Sequence, residues 1–172
     1  RNRARGWWLG QDSKRVGSLR RRMATQGSAL LYQDQFEVKD ITKKFDKVAR
    51  LQCRICDEGY DMTLDLDVNS DLTNFEEKDK FTLALAATLS PDGTPGSEHY
   101  DQSNGASLMD QYEYVMYGKI YKWKQEHPKA PIEVHVSFGG LLMRLKGDQR
   151  HLQNLVLDSR IYLLIRKINQ AR

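Results

Sequence analysis

The chain has 172 residues, 40% of them apolar, with two cysteines and a formal net charge of +4. That is about one domain with enough apolar side chains for a core, which excludes a small disulfide scaffold and fits a reducing compartment. No apolar run approaches the roughly 20 residues of a membrane-spanning helix, so no membrane partner is expected.

Charge divides the chain at its first methionine. Residues 1–22 hold eight of the 27 basic residues and one of the 23 acidic ones, a net +7, so residues 23–172 carry −3. The segment before Met23 shows neither strand nor helix periodicity and has no apolar stretch of secretory type. It is read as a basic leader, either non-native sequence from upstream of a start at Met23 or a disordered arm. A transit peptide and a nucleic-acid arm are the competing readings. Residues 23–172 are read as one β-barrel domain.

The body then runs as short strands. Residues 35–41 are strand-like, and residues 48–55 alternate, with Ala49, Leu51, Cys53 and Ile55 on one side. Between them Ile41-Thr42-Lys43 is expected to form a short turn. Residues 62–68 alternate cleanly, placing Met62, Leu64, Leu66 and Val68 inward and Thr63, Asp65 and Asp67 outward. Phe81, Leu83 and Leu85 mark the next strand. Ser90 to Ser107 holds two prolines and three glycines among polar residues and is expected to be a mobile loop of about 90–107. Residues 112–123 follow, rich in Tyr and β-branched residues, with Gly118 as a candidate bulge. After a break from Gln125 to Pro131, residues 132–138 set Ile132, Val134, Val136 and Phe138 against Glu133, His135 and Ser137. Gly139-Gly140 then signals a two-residue hairpin into Leu141, Met143 and Leu145. Asp148 is placed to cap a short helix over Gln149–Leu152, and Ile161, Leu163 and Ile165 close the series. About eight strands in one small domain imply an all-β fold, a single antiparallel barrel that closes to remove its edges.

Several segments are similar to a known family. They include Phe36-Glu37-Val38, Lys44-Phe45-Asp46-Lys47-Val48, Leu66-Asp67-Val68-Asn69 and Asp79-Lys80-Phe81. The most specific are Tyr112-Glu113-Tyr114-Val115-Met116-Tyr117-Gly118-Lys119 and Val136-Ser137-Phe138-Gly139-Gly140-Leu141-Leu142-Met143-Arg144-Leu145, and Tyr162-Leu163-Leu164-Ile165-Arg166-Lys167 ends the match. Over about residues 32–168 the chain resembles the small common subunit, the eighth, shared by eukaryotic nuclear RNA polymerases I, II and III. The resemblance implies an OB-fold-related barrel and a non-catalytic role against the largest subunit and its neighbours. It also implies a place in the nucleus, nucleolus included.

The remaining clusters are weighed on their own chemistry. Cys53 and Cys56 form a lone CxxC. Zinc needs four ligands and a redox pair needs a helix N-terminus, so one buried and one edge cysteine is preferred. Asp65 and Asp67 share a strand face at a spacing that could hold a cation, but a solvated polar face opposite a core face is preferred. The four histidines lack metal-ligand spacing, and no phosphate-binding glycine motif is present. No catalytic residue, cofactor or metal is expected. Tyr112, Tyr114, Lys119, Tyr121 and Trp123 are the candidate contacts if the barrel binds single-stranded nucleic acid. With a body of charge −3, core and interface packing is preferred for them, and direct nucleic-acid contact is not expected. The candidate interface residues are Tyr117, Phe138, Gly139, Gly140, Leu142 and Arg144, because an apolar Leu142 left outside the barrel beside Arg144 suggests a partner.

Overall fold

Alternating apolar residues need a shared interior, and eight amphipathic strands supply one by closing on themselves. The structure is a computed structural model that describes residues 29–93, 107–127 and 130–168. The strands are β1 (Leu30–Phe45), β2 (Val48–Ile55), β3 (Thr63–Asn69), β4 (Lys80–Ala86), β5 (Tyr114–Lys124), β6 (Ile132–Phe138), β7 (Leu141–Gly147) and β8 (Arg160–Lys167). They form one closed barrel in the order β1-β2-β3-β7-β6-β5-β8-β4, every neighbouring pair antiparallel. The all-β barrel expected from the strand count is thus observed. The basic leader and residues 94–106 of the expected mobile loop lie outside the described residues.

The interior is packed with the inward half of each strand. Phe36, Leu51, Leu64, Leu66, Phe81, Leu83, Leu85, Ile120, Val136, Leu145 and Leu163 are fully buried. Each such side chain contributes about 1.5–3 kcal/mol of burial, so the interior is a core and not a channel. Outside β4 and β8 lies a second, smaller cluster of Ala84, Ala86 and Leu164, covered by Leu89, Leu108, Tyr112 and Val115. The Leu108 N–H donates to the Leu89 carbonyl at 2.9 Å, which ties together the two ends of the expected loop. A 3₁₀ turn at Leu108–Gln111 follows, capped by Ser107 and Asp110.

Three local details decide what the sequence pattern means. Ile41-Thr42-Lys43 is strand, not turn: these residues pair with Leu51, Arg50 and Ala49, and the chain reverses at Asp46-Lys47. Gly118 is not a bulge, since it pairs in register with Ile161. The shift in β5 comes instead between Ile120 and Lys122. Gly118 is required for a different reason: a Cβ there would stand 2.4 Å from the Ser137 carbonyl oxygen and 2.5 Å from the Phe138 ring. Gly139 and Gly140 both have positive φ, +62° and +110°, as a two-residue hairpin between twisted strands demands. Asp148 caps the single helical turn α1 (Gln149–Leu152), accepting from the Arg150 N–H at 2.9 Å.

Candidate binding face on the outside of the barrel

With the interior filled, the outward side chains of the strands are the first candidates to meet a partner. Register places the outward residues of four strands in rows. Leu142 on β7 stands opposite Ser137 on β6, which stands opposite Lys119 on β5 and then Arg160 on β8. One row along, Arg144 stands opposite His135, and on the other side Tyr117 stands opposite Tyr162 with ring centroids 4.7 Å apart. Tyr121 leans over His135 at 6.1 Å. This face therefore gathers Tyr117, Leu142, Arg144, Lys119 and Tyr121 from both candidate sets. Leu142 is 39% exposed, Tyr117 50% and Tyr121 49%, so the face carries three exposed large side chains side by side with its charges.

The other candidates lie elsewhere. Phe138 turns inward, 5% exposed, and packs over Gly118, so it supports the Gly139-Gly140 hairpin from beneath. Tyr114 is also inside, its hydroxyl accepting from the Asn69 N–H at 3.1 Å. Tyr112 belongs to the second cluster, with the Arg166 guanidinium 5.8 Å from its ring. Trp123 lies beyond the β5 bulge, opposite Val134. The five nucleic-acid candidates are thus not brought to one surface.

The electrostatics correct one expectation. The outward carboxylates of β3 are not a solvated face, because guanidinium groups on both neighbouring strands claim them. Asp67 is 5% exposed and accepts from Arg50 Nε at 2.6 Å and Nη2 at 2.7 Å. It also accepts from the Leu142 backbone N–H at 3.2 Å, tying β2, β3 and the start of β7 together. Asp65 is paired with Arg144, whose Nε lies 2.8 Å from it. Arg144, a candidate to meet a partner's carboxylate, thus already has one within the chain. Glu133 is paired with Lys146 at 3.1 Å, and that hydrogen bond holds its carboxyl below the usual range. A shallow cavity of about 320 Å³ lies among Arg50, Asp65, Tyr121, His135, Leu142 and Arg144. The His135 Nε2 is buried without a hydrogen bond, and burial, reinforced by Lys122, lowers the pKa of the ring.

Among the described residues no three His, Cys, Asp or Glu side chains converge on a point that a metal could occupy. Cys53 is buried, aligned between Val38 and Leu64, and burial pushes its thiol up to about 12. Cys56 lies just past the end of β2 and is partly exposed. Sequence reasoning missed the Arg50–Asp67 pair, whose only signal was an arginine and an aspartate on outward positions of adjacent strands.

Comparison with known proteins adds to this geometry. The family described as RNA polymerase Rpb8 matches residues 33–167. The chain is 43% identical over 143 residues to the DNA-directed RNA polymerases II, IV and V subunit 8B of Arabidopsis thaliana, covering 81% of this chain and 97% of that protein. It is 42% identical over 143 residues to the RNA polymerases I, II, and III subunit rpabc3 of Dictyostelium discoideum, covering 81% and 99%. The corresponding Saccharomyces cerevisiae subunit is 36% identical over 148 residues, again covering 81% and 99%.

Proposed function

The chain belongs to the RNA polymerase Rpb8 family, and on that premise we propose that it is the barrel subunit common to the nuclear DNA-directed RNA polymerases I, II and III. The observation that carries this is the extent of the match, which begins within β1 and ends with the last residue of β8. Every strand of the barrel is therefore family sequence, not one grafted motif.

The role we infer is non-catalytic. A closed, filled barrel is a rigid body that presents a fixed pattern of side chains at little entropic cost on binding. The outer face of β7, β6, β5 and β8 is our candidate for the contact with the largest subunit. Tyr117 and Leu142 would be its apolar anchors, with Arg144 held in place by Asp65. The Gly139-Gly140 turn is the end of that face, and Phe138 its inner support. Such a subunit works in the nucleus, including the nucleolus where polymerase I acts.

The test is co-purification of the tagged full chain from nuclei. The expected result is co-elution with the very large polymerase subunits; a free chain retained on single-stranded DNA with steep salt dependence would overturn the proposal. Leu142→Asp and Tyr117→Ala, both at exposed positions, are expected to melt like the parent yet be depleted from the polymerase. Incorporation of both at parental levels would remove this face from the interface.

A further inference from the structure

β1 is longer than the barrel needs. Leu30–Glu37 pair with β4, whereas Phe36–Phe45 pair with β2. The last backbone bonds on the β4 side are at Val38, whose N–H donates to the Asp79 carbonyl at 2.9 Å and whose carbonyl accepts from the Lys78 N–H at 2.8 Å. Among the described residues, nothing pairs with the outer edge of β1 from Asp40 to Phe45. About 20 Å of strand thus keeps one row of N–H and C=O groups open. The barrel is closed as a ring but carries a projecting edge.

Two features beside this edge say what would cover it. The mouth of the barrel next to it holds a cavity of about 300 Å³, floored by Ile41, Ala49, Leu51, Val68 and Phe75 and also lined by the exposed Lys43. A side chain on a strand added to β1 would point into that mouth. The charge is also uneven. Lys39 is held by Glu37, and Lys47 by Asp71 at 2.9 Å, while among the described residues no ion pair engages Lys43 or Lys44. Asp40 is near but accepts from the Thr42 hydroxyl at 3.4 Å.

We propose that the Asp40–Phe45 edge accepts an added strand from a neighbouring polymerase subunit: an extended segment with an apolar residue for the mouth and acidic residues facing Lys43 and Lys44. Backbone pairing supplies the affinity, and the mouth and the two lysines supply the choice of segment. A second copy of this chain is the poorer occupant, because its edge offers one carboxylate, Asp40, already accepting from Thr42, against two lysines. Lysines on an open edge reject like-charged edges and still admit an acidic one. The surface is separate from the β7-β6-β5-β8 face, although the identity of the partner rests on the polymerase assignment.

The experiment is hydrogen exchange read by mass spectrometry on the full chain, free and within purified polymerase. It is combined with photo-crosslinking from benzoylphenylalanine placed at position 44. The expected result is at least tenfold slower exchange over residues 40–45 in the complex, and a crosslink into an acidic, extended stretch of another subunit. The Lys43→Glu, Lys44→Glu double variant, altered only at exposed positions, should melt like the parent and lose that protection. Equal exchange of residues 40–45 in both states, or a crosslink to nucleic acid, would overturn the added strand alone. Absence of the chain from the purified polymerase would overturn it together with the polymerase assignment.

Discussion

Replacing Asp67 by alanine tests whether the outer face is held by its ion pairs or only decorated by them. The carboxylate accepts three hydrogen bonds, two from Arg50 and one from the Leu142 backbone, and it is 5% exposed. Removing one member of a buried charge pair costs about 3–5 kcal/mol when the remaining charge is left stranded. Here the Arg50 side chain is 32% exposed and the Leu142 backbone lies near the surface, so both regain water. The expected loss is therefore smaller, about 2–3 kcal/mol. Urea unfolding of the parent, Asp67→Ala, Arg50→Ala and the double variant gives the coupling directly, and about 1.5 kcal/mol or more is expected between the two sites. Because Asp67 also fixes the start of β7, Asp67→Ala should loosen Leu142 and weaken retention in the polymerase more than its stability loss alone. A loss below about 0.5 kcal/mol for Asp67→Ala, the level of an ordinary surface change, would refute the reasoning.

Gly118→Ala is expected to destabilise by about 1–3 kcal/mol, because the new methyl meets a backbone oxygen that cannot move aside as well as the Phe138 ring; chemical denaturation reads this, and a neutral result would show that β5 and β6 can part locally. Gly139→Val and Gly140→Val face open space, so their expected cost of about 1–3 kcal/mol is purely conformational. Gly139→Asn, which tolerates positive φ, should recover most of it, and a Gly139→Asn melt no better than that of Gly139→Val would count against the strain argument. His135 has its pKa lowered by burial, with Lys122 and Arg144 adding to the effect and Glu133 opposing it. The unfolded chain therefore binds its proton first, and the stability this ring confers is full above the unfolded value near 6.5 and lost as pH falls through the lower folded value. His135→Gln should flatten the melting temperature across that window, and an unchanged slope would assign the dependence to other groups.

How far the fold could be read in advance depended on what covers each strand. β6 was legible residue by residue because its outward Glu133, His135 and Ser137 sit on the more exposed side while Ile132, Val134, Val136 and Phe138 are in the core. β4 obscured its own pattern, since Thr82, Ala84 and Ala86 are buried as well, the two alanines beneath Leu89, Leu108 and Tyr112. β1 hid its length for another reason. It pairs with β4 in its first half and β2 in its second, with register shifts between Val38 and Asp40 and between Lys43 and Phe45. A period-two pattern cannot survive two extra residues, and so Ile41-Thr42-Lys43 looked like a turn.

The site was harder to foresee, because its defining contacts join residues far apart in the chain. Alternation correctly places Leu142 and Arg144 on one face and Met143 and Leu145 on the other. It cannot say that the aspartates 79 and 75 residues earlier lie alongside, claiming Arg144 and the Leu142 backbone. The tyrosines of β5 show the same limit. Read as a ladder they suggest a stacking surface, but strand geometry sends Tyr114 inward and Tyr117 outward, and the register shift before Lys122 sets Trp123 opposite Val134. What remains outside is a mixed patch of tyrosine, leucine and internally paired arginine. Ion pairs already satisfied within the chain lock side chains in position without drawing in solvent ions, and on the proposed reading the exposed apolar groups between them would supply the drive to associate. That division favours a permanent protein neighbour over a polyanion, whose affinity would require free cations along a continuous track.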